Sequence, residues 1–262
     1  MGSEKYDIEK YNIKAVARCL KILDLIALSD SPLSINDVCA ALSINVNMAF
    51  RMLSTMVQAG YIVKDEKTGL YSNSLKTLQL SRNALLSLNI RKYAMPYLEL
   101  LWNQYPKTNI NLALLYEGDV LVIDRLDSLN TPRTYFTPGK TSPFHCTALG
   151  KILTCEMDEA ELDKLIARKG LKAFTSKTIT DPQALKAELA KTRSEQLARD
   201  REEYLPNDNC NAAPVRNQEG KIIAAVSLTA FESYMTIEEI EETTPALRNT
   251  ARRISFMVGY QE

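Results

Sequence analysis

Asn45-Val46-Asn47-Met48-Ala49-Phe50-Arg51-Met52-Leu53-Ser54-Thr55-Met56-Val57-Gln58-Ala59-Gly60, followed at once by Tyr61-Ile62-Val63, decides how the amino-terminal part of this chain is read. Ala49, Met52, Leu53, Met56 and Val57 recur at helical spacing, and the pattern stops at Gly60. The opposite face carries Asn47, Arg51, Ser54 and Gln58 at i, i+4, i+7 and i+11, hydrogen-bonding side chains with no acidic member. Upstream, Ile13, Val16, Leu20, Leu23 and Ala27 mark a first amphipathic helix that ends in Ser29-Asp30-Ser31-Pro32. Ser34 opens a short second helix with Ile35, Val38, Cys39 and Leu42 inward, and Asp37 completes an approximate capping box. Ser43-Ile44-Asn45 is a polar break. Downstream, Tyr61-Ile62-Val63 and Leu70-Tyr71 flank the charged turn Lys64-Asp65-Glu66-Lys67-Thr68-Gly69, which predicts a hairpin.

Short helices followed by a hairpin are the plan of a winged helix-turn-helix, in which the last helix enters the major groove and the hairpin tip meets the backbone. Asn and Gln can pair with adenine and Arg with guanine, so the polar stripe has the chemistry to read bases. Asn45, Asn47, Met48, Arg51 and Ser54 are assigned to double-stranded DNA, with Lys64 and Lys67 on the hairpin. A solvated helix face in an interaction domain is the competing reading. Met1 to Leu75 holds eight Lys/Arg and eight Asp/Glu, so attraction to phosphate must be local, from Arg51, Lys64 and Lys67 and, beyond the hairpin, Lys76 and Arg82.

The whole chain has 262 residues, 45% hydrophobic and 24% charged, which fits two medium globular domains and excludes disordered and collagen-like classes. Lys plus Arg and Asp plus Glu balance at 32 each, leaving no bulk attraction to nucleic acid or anionic membrane. The best apolar run, Ile22 to Leu28, is interrupted by Asp24 and is too short to span a bilayer. Met1 to Tyr11 is polar and lacks a secretory pattern, so the expected location is cytoplasmic, with no membrane partner. The five cysteines, Cys19, Cys39, Cys146, Cys155 and Cys210, are odd in number and widely spaced, and read as reduced thiols. His145 is the one histidine of the sequence, which leaves little for histidine-based metal sites; no metal or cofactor is expected.

Leu75 to Leu88 and Ile90 to Tyr105 read as helices whose apolar surface suits packing between domains or protomers. After Pro106 the pattern turns to strands: Asn109 to Tyr116 and Val120 to Asp127 around Glu117-Gly118-Asp119, then Arg133 to Phe136, Asn211 to Arg216 and Ile222 to Ala230. Helices are predicted near Ala148 to Cys155, Glu159 to Arg168, Pro182 to Leu197, and from Ile237 to about Val258. The predicted class is α+β, an antiparallel sheet flanked by helices.

Two blocks carry a resemblance. Pro138-Gly139-Lys140-Thr141-Ser142-Pro143-Phe144-His145-Cys146-Thr147-Ala148-Leu149-Gly150-Lys151-Ile152-Leu153 resembles the signature of IclR-type bacterial transcription regulators. So does the second, from Asp200-Arg201-Glu202-Glu203 through Cys210-Asn211-Ala212-Ala213-Pro214-Val215 to Ala224-Ala225-Val226-Ser227-Leu228-Thr229. The likeness runs from about Tyr11 to Gly259. It implies a winged helix-turn-helix over 11–74, a linker helix over 75–89 and a GAF-like effector domain over 90–260. It also implies a homodimer or homotetramer whose grip on operator DNA changes with a small organic acid, with no catalysis; the expected role is repression of a catabolic operon.

The ligand-facing positions the resemblance implies are Ala148, Leu149, Asp200, Asp208, Cys210, Ser227 and Thr229. The physics agrees in part: amides at a helix start near Ala148 favour a carboxylate, and Ser227 and Thr229 point to one face of a strand. Asp200 beside an anion suits a ligand with hydroxyls, such as a sugar acid. Ile90-Arg91-Lys92 to Tyr97, Arg133-Thr134-Tyr135 and Thr250-Ala251-Arg252-Arg253-Ile254-Ser255 resemble the branch of the family that senses keto-deoxy sugar acids. Two departures stand out: Asn45, Val46, Asn47 and Met48 replace the Ser/Thr-rich helix start common in the family, and Leu149 is bulky for its place.

The competing chemistry is weaker. His145 beside Cys146 forms a poor nucleophile pair because neighbours on a turn seldom align. His145, Cys146 and Cys210 lack zinc-site spacing. Glu202 and Glu203, adjacent on an extended chain, point apart and are expected to orient a pocket loop. A small-molecule-binding enzyme with an amino-terminal interaction module remains the alternative class.

Overall fold

The computed structural model describes residues 12–129 and 137–261, in two compact units, Met1–Ser87 and Leu88–Glu262. The predicted strand Arg133 to Phe136 lies outside the described residues.

The first unit runs α1 (Lys14–Leu28), α2 (Ile35–Leu42), α3 (Val46–Gln58), β1 (Ile62–Lys64), β2 (Tyr71–Asn73) and α4 (Lys76–Ser87). Ser34 and Asp37 form the capping box expected at α2. Ile22, Ile26, Val38, Ala49, Leu53, Met56, Ile62 and Tyr71 build the core. The helix at α1 is where periodicity places it, but its buried face is not: Ile13, Val16 and Leu20 are exposed, while Ile22 and Ile26 are buried. Apolar residues cover more than one side of α1, and the core takes the stripe one step round from the one the spacing suggests. β1 and β2 pair antiparallel, and Leu33 adds an isolated antiparallel bridge to Tyr71. At the hairpin tip the Asp65 Oδ1 accepts from the Lys67 and Thr68 amides at 2.8 and 2.9 Å, which holds the turn.

The second unit begins with α5 (Asn89–Gln104), β3 (Asn109–Tyr116), β4 (Asp119–Leu126), β5 (Thr141–Ser142), α6 (Ala148–Thr154), α7 (Glu159–Lys169) and α8 (Pro182–Glu195). It continues with β6 (Ala198–Arg201), β7 (Asp208–Arg216), β8 (Ile222–Phe231), α9 (Ile237–Glu242) and α10 (Thr244–Met257). Among the described residues the strands order β5-β4-β3-β8-β7-β6, each antiparallel to its neighbour. Glu117 and Gly118, both at positive φ, close the β3–β4 hairpin in two residues.

Alternation along β8 sorts the two faces. Ala224, Val226 and Leu228 pack with Leu98, Leu247 and Ile254 of α5 and α10, whereas Ala225 packs with Ala148, Leu149 and Ile152 of α6. Ser227 and Thr229 share the face of Ala225. Gly150 lets α6 approach closely, because a Cβ there would stand 2.2 Å from the Phe144 carbonyl oxygen. The predicted last helix is two: Thr243 ends α9, its hydroxyl donating to the Ile240 carbonyl at 2.7 Å, and Pro245 opens α10, where its missing N–H does no harm. β5 and β6 have no counterpart among the predicted strands. No helix among the described residues is long and apolar enough to cross a membrane.

Candidate functional site

In the first unit Asn47, Arg51, Ser54 and Gln58 are exposed along one face of α3, opposite Ala49, Leu53 and Met56 in the core. Lys64 on β1 and Lys67 at the hairpin tip are exposed as well. Asn45 is committed to the fold as the N-cap of α3, its Oδ1 accepting from the Met48 amide at 2.9 Å. Met48 is half-buried, with Arg18 donating to its sulfur at 3.2 Å. Lys76 is likewise engaged, donating to the Ala59 carbonyl at 2.7 Å and lying 4.3 Å from the Tyr61 ring centroid. Of the basic residues the sequence marks, Arg51, Lys64, Lys67 and Arg82 are exposed, and Lys76 is tied to the end of α3.

In the second unit one small pocket is lined by Asn111, Thr147, Ala148, Leu149, Asp200, Cys210, Ser227 and Thr229. Strand register explains the gathering. Asp200 stands beside Cys210 and Cys210 beside Thr229 in one cross-strand row; Ala212, Ser227, Asn111 and Arg125 form the next. α6 covers both rows. Thr147 caps it, accepting from the Gly150 amide at 3.1 Å and donating to the Pro143 carbonyl at 2.9 Å. The Ala148 and Leu149 N–H groups at the helix start have no carbonyl of α6 within reach. The cavity is small, about 10 Å³, room for roughly one water, and Leu149 is the bulkiest apolar side chain that lines it. Two larger clefts of this unit, one beside Cys155, Lys186 and Arg193 and one beside Arg216, Arg248 and Tyr260, are open surface features.

Six of the seven positions the resemblance implies line this pocket; Asp208 does not. It sits behind Thr229, whose hydroxyl donates to its Oδ1 at 3.0 Å. Asn111 and Thr147 line the pocket although the sequence does not mark them, the first because its strand lies 116 residues before Ser227. Burial pushes Asp200 well above the usual carboxylate range, helped by the nearby Glu203 and Asp208, with Lys151 opposing. Burial likewise lifts Asp208 to about 7, against the pull of Thr229 and Arg125. Burial favours the un-ionised form of Asp200, and in that form it does not repel an anion.

Beneath Asp200, the Lys151 ammonium is fully buried and donates to Glu203 Oε1 at 2.5 Å and to the Arg199 carbonyl at 2.8 Å. The Glu203 amide in turn donates to Asp200 Oδ1 at 2.7 Å. Glu203 does steady the pocket's acid, while Glu202 turns away to pair with Lys177. Burial, with Asp200 and Glu203 near, raises the Cys146 thiol and keeps it un-ionised. His145 donates from Nε2 to the Lys172 carbonyl at 3.0 Å. Neither supplies a nucleophile–base pair.

A winged helix-turn-helix followed by a sheet unit with a small polar pocket is the arrangement of a DNA-binding transcription regulator. The chain belongs to the IclR family: the profile described as bacterial transcriptional regulator IclR C-terminal matches residues 82–256, and that of the IclR helix-turn-helix domain residues 15–66. It is similar to the HTH-type transcriptional regulator XynR of Escherichia coli, 29% identical over 95% of this chain and 98% of the relative. KdgR of the same organism is 26% identical over 100% of this chain and 99% of its own. The crystal structure of Thermotoga maritima IclR superposes with a TM-score of 0.72 at 25% identity, covering 95% of this chain and all of the other.

Proposed function

We propose that this chain is a cytoplasmic repressor of a catabolic operon that reads operator DNA with α3 and the β1–β2 hairpin and senses a small organic acid in the pocket under α6. Residues 11–74 act as the reader, 75–89 as a linker helix and 90–260 as the sensor. Asn47, Arg51 and Ser54 face the bases, Lys64 and Lys67 the backbone, while Asn45 and Met48 shape the start of the helix. One observation carries the sensing half: helix-start amides, two hydroxyls and a buried carboxyl group meet in a single pocket. That set accepts a carboxylate and a hydroxyl or keto oxygen. The cavity holds roughly one water, so an acid enters only if Leu149 and its neighbours move, by less for a short hydroxy or keto acid than for a six-carbon sugar acid.

The exposed apolar side chains of Ile13, just before α1, Val16 and Leu20 on α1, and Leu78 and Leu80 on α4 support a homodimer, with half-sites about one turn of DNA apart. The test is selection of duplexes from a random library by the purified chain at low salt, then retardation assays with pyruvate, lactate, glycerate and gluconate. The expected result is a two-fold-symmetric site whose retention changes with one of these acids. A chain that holds no specific duplex in any ligand state overturns the proposal.

A further inference from the structure

Arg125, Asn111 and Ser227 stand side by side on β4, β3 and β8 in one cross-strand row. The Arg125 side chain is 3% exposed; its Nε pairs with Asp127 and its Nη1 donates to Asn111 Oδ1 at 3.1 Å. A guanidinium has donors only, so the Asn111 amide must turn its oxygen toward Arg125 and its nitrogen toward Ser227. Nδ2 accordingly donates to Ser227 Oγ at 3.1 Å. With one lone pair taken by the Asn111 amide, Ser227 keeps its hydroxyl proton to offer to a ligand oxygen in the pocket it lines. Thr229 is set the other way: its proton is held by Asp208 Oδ1 at 3.0 Å and the Asn209 carbonyl at 3.1 Å, which leaves a lone pair for the pocket.

We infer that Arg125 and Asn111 are positioning residues that make Ser227 a donor to a carboxylate or keto oxygen of the effector, while Asp208 and the Asn209 carbonyl leave Thr229 an acceptor from a hydroxyl. This rests on the reading of the pocket as the effector site. Both hydroxyls look alike in the sequence, two residues apart on one face; the partners behind them give them opposite roles. The effector class that matches is a short acid presenting an oxygen acceptor at Ser227 and a hydroxyl at Thr229.

The test is a double-mutant cycle on the intact chain, with affinity for pyruvate, lactate, glycerate and gluconate measured by calorimetry. Asn111→Asp keeps the shape of the side chain but offers Ser227 an acceptor, so its proton turns away from the ligand. Binding of the recognised acid is expected to weaken about tenfold or more, as when a hydrogen bond to a charged group is lost. Ser227→Ala is expected to cost a similar factor, and Asn111→Asp added to Ser227→Ala almost nothing further. Arg125→Gln, which frees the Asn111 amide to take either orientation, gives a smaller loss that also vanishes without Ser227, and serves if the first variant folds poorly. Loss from Asn111→Asp that persists in the Ser227→Ala background signifies plain charge repulsion and overturns the inference alone, as does full affinity in Asn111→Asp. A wild-type chain that binds none of the four acids, or binds one equally well after Ser227→Ala, overturns the effector reading itself and this inference with it.

Discussion

The proposed reader and the proposed sensor place their candidate side chains in opposite ways. On α3 and the hairpin, Asn47, Arg51, Ser54, Lys64 and Lys67 are exposed and hold up nothing of the core. In the pocket, Asp200, Cys210, Ser227 and Thr229 are buried and belong to the packing between sheet and α6. Fold and function are separable in the first unit; in the second the same atoms serve both. Substitutions should therefore split DNA binding from stability in the reader and fail to split ligand binding from stability in the sensor.

The strongest break in that pattern is expected at Lys151, which lies under the pocket. Its buried ammonium neutralises Glu203, and Lys151→Met leaves that carboxylate buried without a cation. A loss of about 3–5 kcal/mol is expected from urea unfolding, largely restored when Glu203→Leu is added. A loss under about 1 kcal/mol would show that the pair contributes little.

Asp208 gives the next effect, and its sign depends on pH. In the unfolded chain it ionises near 3.8, in the folded one near 7. The folded chain binds the extra proton between those values, so this residue's contribution is complete below about pH 4 and is lost as pH rises through 7. Asp208→Asn keeps an acceptor for Thr229 and abolishes the loss. It should stabilise by on the order of a few kcal/mol at pH 8 and hardly at all at pH 4, read from urea midpoints. Equal gains at both pH values would mean that burial of the charge is not the cause.

What the sequence could disclose follows the range over which the physics acts. The α2 cap is local, Ser34 with Asp37, and β8 is a nearly unbroken apolar, β-branched run within ten residues, so both are legible. The pocket's residues come from a family resemblance, because nothing local in Ala148 or Cys210 says that they meet. β6 escapes because Ala198-Arg199-Asp200-Arg201 is too short and charged to look like a strand, and only pairing with β7 makes it one. The α9–α10 break is signalled by Pro245 alone, within an otherwise continuous helical pattern, and the buried face of α1 could not be chosen from its own spacing. Asn111 and Arg125 were silent for the same reason as β6: their meaning lies in register with β8.

On the reader, Arg51→Ala should weaken specific DNA binding by about 1–3 kcal/mol, roughly tenfold to a hundredfold, in retardation assays. Thermal unfolding and acid binding should stay as they were, since Arg51 is exposed. Retained specific binding would move the reading surface off α3. A falling melting temperature would erase the contrast between the two units.

Asn45 is the smallest and sharpest case, because it stands where reading and holding meet. As N-cap of α3 its side-chain oxygen is committed to the Met48 amide, leaving its Nδ2 to approach a base. Asn45→Ala should cost about 1 kcal/mol of stability through the lost cap. Asn45→Ser restores a cap without restoring the amide. If Asn45 serves DNA only by fixing the first turn of α3, serine recovers both the melting temperature and the affinity for the selected duplex. If its amide touches a base, serine recovers stability alone and preference relaxes at one position of the site. In that event the division drawn between the units fails at the residue where α3 begins, and the reader, like the sensor, makes one side chain do two jobs.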